Sequence, residues 1–126
     1  MQPVVISAVG SSSSAGNKAD PKRVPVADVF KEINNLSLST TNAAAWTPAS
    51  GYAAKVLSLV ISVDAAVALE IQHGTTWLYT TGVLSPDHTY VFDFGFGRDG
   101  AKDAVINIKT KSGTANAYGT IAGNEL

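Results

Sequence analysis

The run Lys55-Val56-Leu57-Ser58-Leu59-Val60-Ile61-Ser62-Val63-Asp64 puts Leu57, Leu59, Ile61 and Val63 on one side of an extended backbone and Ser58, Ser62 and Asp64 on the other. That period of two is what a strand with one buried and one solvated face requires; helical backbone would scatter the same apolar residues around its circumference. Val60 is out of phase. After the short Asp64-Ala65-Ala66 connection the alternation resumes, with Val67, Leu69 and Ile71 opposed to Ala68, Glu70 and Gln72. The two runs are therefore expected to form a hairpin.

Working outward, Gly74 precedes a brief aromatic strand, Thr76 to Thr80, with Trp77 and Tyr79 at alternate positions, and Gly82 closes it. Tyr90, Phe92, Phe94 and Phe96 then share one face, and each ring would contribute roughly 1.5 to 3 kcal/mol if fully buried. This strand is expected to anchor the core. Ala104, Ile106 and Ile108 alternate with Asn107 and Lys109, a weaker strand runs from Ala115 to Ala122, and Leu36 and Leu38 begin a further one near Trp46. Six to eight short strands without intervening long helices describe an all-β, antiparallel β-sandwich.

The chain upstream is different in kind. Pro3-Val4-Val5-Ile6 is apolar and β-prone, Ser11 to Gly16 is a low-complexity linker, and Asp20 to Leu36 is punctuated by proline. Val26, Val29, Phe30 and Ile33 recur at helical spacing behind Pro25, which suits a helix start, so a short helix is expected there, with an extended arm as the alternative. Residues 1–35 are read as an N-terminal arm and 36–126 as the sandwich domain.

At 126 residues the chain suits one domain with an appendage. Its charged fraction is 15% where about 25% is usual, so its surface is pale, as surfaces covered by neighbours often are. A net charge of −1 with scattered lysines offers no basic face for nucleic acid, and the Lys18, Lys22, Arg23 group has Asp20 among it. Without cysteine there is no disulfide framework, thiolate nucleophile or cysteine-based metal site. Pro3 to Val9 is too short for a signal-peptide core, and no apolar run reaches the roughly 18 residues of a membrane helix, so neither export nor membrane association is expected.

Candidate chemistry is sparse. Gly95-Phe96-Gly97 lacks the third glycine and the following helix of a dinucleotide fingerprint, and reads as a strand end and turn. Asp99, Gly100 and Asp103 lack the alternating oxygen ligands of a calcium loop and read as a polar turn. His73 and His88 are the only histidines: His73 reads as a partly buried structural imidazole, and Pro86-Asp87-His88 as turn chemistry with no nucleophile elbow near it. Trp46, Tyr52, Trp77 and Tyr79 belong either to the core and subunit contacts or, if exposed, to a surface on which sugars stack. No catalytic, cofactor or metal residues are assigned.

From Ala54 onward the chain resembles the small tailed-bacteriophage structural proteins that occur as jelly-roll or β-sandwich head decoration. The matching stretches are Lys55 to Ser62, Gly74-Thr75, Val83-Leu84, Tyr90-Val91-Phe92-Asp93-Phe94-Gly95, Asp103 to Ile108 and Tyr118-Gly119-Thr120, and they extend over about three-fifths of the chain. The resemblance implies a non-enzymatic virion role at the capsid surface, assembly in the host cytoplasm, and cement oligomers, usually trimers, seated on major capsid protein. The departures, Pro86-Asp87-His88 and Arg98-Asp99-Gly100, would be loops rebuilt for a particular lattice contact. On this reading Val4, Val5 and Ile6 add a strand to a partner, and Val29, Phe30 and Ile33 form an apolar foot. A fibre base, a tail component, or a host-facing carbohydrate module are the alternatives.

Overall fold

A computed structural model describes residues 26–126, apart from the side chains of Trp77, Phe96 and Arg98. Eight strands follow one another: β1 (Val29–Leu38), β2 (Ala43–Trp46), β3 (Ala53–Val63), β4 (Val67–His73), β5 (Thr76–Leu84), β6 (Thr89–Lys102), β7 (Ile106–Thr110) and β8 (Ala115–Glu125). They form two four-stranded sheets, ordered β1-β8-β3-β6 and β2-β7-β4-β5, with every pair antiparallel. Among the described residues there is no helix. Leu38, Leu59, Ile61 and Ile121 from the first sheet and Trp46, Leu69, Ile71, Ile106 and Ile108 from the second belong to one contiguous core.

β3 confirms the alternating reading and adds a bulge. Its register shifts between Val56 and Ser58 against both neighbours, so Val56 and Leu57 are both buried and Ala54 takes over the inward phase below them. The expected hairpin with β4 is not there. β3 pairs with β6 and β8, whereas β4 pairs with β5 and β7, so residues 64–66 turn a corner from one sheet to the other. Two runs with apolar inner faces can meet edge to edge or across a core, and a three-residue connection is compatible with both. Asp64 settles the corner by exchanging bonds with β8: its N donates to Asn116 O at 3.1 Å and its Oδ1 accepts from Asn116 N at 2.7 Å. The consecutive pair that is a hairpin is β4–β5, turning at Gly74-Thr75, where Gly74 adopts a φ of 60°.

The expected helix at Val26 to Ile33 is also replaced by strand. β1 starts at Val29, crosses residue 35, and pairs with β8 from Val29↔Gly123 to Leu38↔Ala115. The spacing that mimics a helix is split by the pleat: Ile33 lies in the core, Val29 is half-buried against it, and Phe30 points out. β8 needs a partner on its open side, and the β-branched Val29 and Ile33 suit a pleated surface.

β6 is a sheet edge, which corrects its expected role. Tyr90, Phe92 and Phe94 face inward but stay half-buried, packing against a core whose centre is aliphatic apart from Trp46. Gly95-Phe96-Gly97 lies inside the strand. β6 takes five residues from Asp93 to Arg98 while β3 takes two from Ser58 to Val56, and Gly95 and Gly97, at φ 65° and 88°, make that bulge possible.

Candidate interaction surface

The outer face of the β1-β8-β3-β6 sheet collects side chains from four strands in cross-strand rows. One row runs Phe30, Ala122, Ser58, Asp93, and the next runs Glu32, Thr120, Val60, Val91. Tyr118 and Ser62 continue it, and Tyr118 Oη donates to Asn35 Oδ1 at 3.0 Å. Phe30, Val91 and Tyr118 are exposed by 65%, 68% and 41%. The centre is thus apolar or hydroxylic. Its edges are acidic: Glu32 and Asp93 are exposed, Asp28 sits beyond Phe30 on the same side of β1, and Lys55 is drawn to Asp99 at 4.0 Å. The outer face of the other sheet is balanced by an ion pair, Lys109 to Glu70 at 3.6 Å.

A second feature lies where the edges β5 and β6 approach each other. The Tyr79 ring centroid is 5.5 Å from Phe92 and 5.7 Å from Phe94, Tyr90 stacks on Phe92 at 6.4 Å, and His88 meets Tyr90 edge-on at 6.2 Å. The row closes the side of the core while leaving Tyr79 37% exposed.

Of the residues expected to contact partners, Val4, Val5 and Ile6 lie outside the described residues. Ile33 is 3% exposed and is committed to the protein's own core, so Val29, Phe30 and Ile33 do not form one apolar foot; Phe30 is the member that faces outward. Val91, Val60 and Tyr118 share its face and were not singled out from sequence. Their signal was present as apolar residues out of phase in alternating strands, Val60 between Leu59 and Ile61 and Val91 between Tyr90 and Phe92. A strand that is apolar at both phases covers a core on one side and offers contact area on the other.

The chemical candidates take structural places. His73 is buried with Nε2 3.2 Å from Ala54 O, and Gly100 lies against its ring so closely that a Cβ there would collide. Asp103, at φ 65°, accepts from Gly51 N at 2.6 Å while its own N donates to Tyr52 O at 2.8 Å, which ties the β2–β3 connection to the end of β6. Asp99 lies within β6 beside Lys55. Ser85 to His88 make the turn into β6, where Ser85 N donates to Tyr90 Oη at 2.8 Å. Trp46 is buried, with Nε1 donating to Glu125 Oε2 at 3.1 Å. No family model matches the chain, and no curated protein matches it significantly.

Proposed function

We propose that this chain is a jelly-roll structural protein of a virion, a cement that docks on the major capsid protein of a phage head and stabilises it in company with further copies of itself. The supporting observation is the strand order. β1-β8-β3-β6 faces β2-β7-β4-β5, and every connection except β4–β5 passes from one sheet to the other, which supports the jelly-roll reading; jelly rolls are frequent in capsid proteins. Mass action supplies the mechanism. A protein that binds the assembled shell and not its separated subunits stabilises the shell in proportion to the logarithm of its concentration over its Kd. Phe30, Val91 and Tyr118 supply apolar area for contact between neighbouring copies on the shell, and residues 1–25, including Val4, Val5 and Ile6, supply a tether.

The test is co-sedimentation with undecorated heads of the full chain, of a chain lacking residues 1–25, and of Phe30→Ser/Val91→Ser. Saturation near one copy per capsid subunit, lost in the double variant and weakened by the truncation, is the expected result. No co-sedimentation of the full chain would sink the proposal. A carbohydrate-binding module is favoured instead by one observation, the exposed edge of Tyr79 beside Phe92 and Phe94. Glycan-array binding that Tyr79→Ala abolishes would select that reading.

A further inference from the structure

We infer that the outer face of the β1-β8-β3-β6 sheet is the seat of the basic segment Lys18–Arg23 of a second copy of this chain. The first observation is charge segregation. Lys18, Lys22 and Arg23 against Asp20 give residues 1–25 a net charge of +2; the whole chain carries −1, which leaves −3 on residues 26–126. Three of the nine acids of that body border the apolar face: Asp28 and Glu32 flank Phe30 along β1, and Asp93 stands at the far end of the Phe30 row. On the same face Lys55 is already beside Asp99, and Lys102 stands at the end of β6 opposite Ala53. Against another copy of itself the face would set acid on acid. The basic segment, with Val24 directly after it, complements both its charge and its apolar centre.

The second observation is the direction in which the chain arrives. Asp28 N donates to Gly123 O at 3.1 Å and to Asn124 Oδ1 at 3.0 Å, so the ladder is in register by residue 28, and Val26 just before it is 83% exposed. At residues 26–28 the backbone therefore heads past the end of the sheet and not across it. Asp93 lies three strand spacings across and four residues along from Val26, about 19 Å, while the three residues back to Arg23 span about 10 Å when extended. At that rise a protomer's own Lys22 and Arg23 fall short of its own far acid while Lys18, about 26 Å back, does not; all three of a neighbour's basic residues are free of this restriction. The contact is head-to-tail, so it generates a ring or an open chain of copies.

The absence of native cysteine makes the test direct. Two differently tagged full-length chains, one Ala19→Cys and the other Ser58→Cys, are mixed and treated with a short bismaleimide, alongside light scattering of the unmodified chain. A cross-link between the two tags, lost near 1 M salt, is expected. Lys22→Glu/Arg23→Glu in the first chain should weaken association about tenfold, and Glu32→Lys/Asp93→Lys in the second should restore it. Monomers, oligomers that do not form this cross-link, or association unaffected by charge reversal would overturn the inference. Because the readout contains no capsid, a failure to bind shells would sink the cement role and leave this contact standing.

Discussion

Individual residues show how little space the two layers leave. Gly123 on β8 lies so close to Lys55 O of β3 and to the Trp46 ring that a Cβ would overlap both, and Gly119 meets Val60 O and the Ile61 backbone in the same way. The nearest neighbours of both glycines are backbone atoms of the central strand β3, so they cannot give way by changing rotamer. Gly123→Ala should therefore cost about 2 kcal/mol or more, as overpacking at a fixed backbone does, whereas Gly82→Ala, where nothing lies within 4 Å, should change the urea midpoint little. Trp46 offers a second test. Trp46→Phe keeps most of the apolar burial but leaves Glu125 without its indole donor, and should cost about 1 to 3 kcal/mol, less than the roughly 3 to 5 kcal/mol of Trp46→Ala. Equal midpoints for the two Trp46 variants would show that volume contributes nothing there beyond the hydrogen bond.

At the scale of the element, bulges decide which residues are inside. In β5 the register slips between Ala68↔Val83 and Glu70↔Thr80, and Leu69 N, which falls at the slip, finds the Thr81 hydroxyl at 2.9 Å; that hydroxyl donates to Gly82 O at 2.7 Å. A side chain thus takes the place of a missing ladder partner. Thr81→Val, nearly isosteric, should cost about 1 to 3 kcal/mol through the stranded buried N–H, and Thr81→Ser should recover most of it; a larger loss in urea unfolding for Thr81→Ser than for Thr81→Val would show that the methyl group, not the hydroxyl, matters. Such local slips also explain what could be read from the chain. The alternation in β3, β4 and β7 was legible because those strands pair on both sides with one face buried. β1 was not, since Val29, Phe30 and Ile33 satisfy a helical and a pleated spacing equally until β8 supplies the partner. The partner of β3 was equally hidden, because alternation records which side of a strand is apolar and not which strand lies next to it. For the same reason Phe30 could be picked out as a contact residue while Val91 and Tyr118, brought beside its row only by pairing across β8 and β3, could not.

For the molecule as a whole, the consequence of β1 is that the boundary between arm and body falls before residue 29 and not after residue 35. β1 is an edge strand, yet it covers β8, contributes Ile33 and Leu38 to the shared core, and turns Lys31 toward the inner side at the Ile121 position, where a charge discourages pairing with a further strand. Removing residues 1–35 would take away seven of its ten residues, expose the β8 edge, and open the core at Ile121 and Ala117. Removing residues 1–25 would leave every one of those contacts in place. Thermal unfolding followed by circular dichroism should then give nearly the same midpoint for the 1–25 deletion as for the full chain. The 1–35 deletion should lose several kcal/mol, since burying Ile33 alone is worth about 2 kcal/mol and the exposed β8 edge adds a route to aggregation. A 1–35 deletion as stable as the full chain would mean that β1 belongs functionally to the arm and that the core closes without it. A 1–25 deletion that melts early would mean that the basic segment stabilises the body itself, and the binding loss expected of that truncation would then need re-reading as partial unfolding.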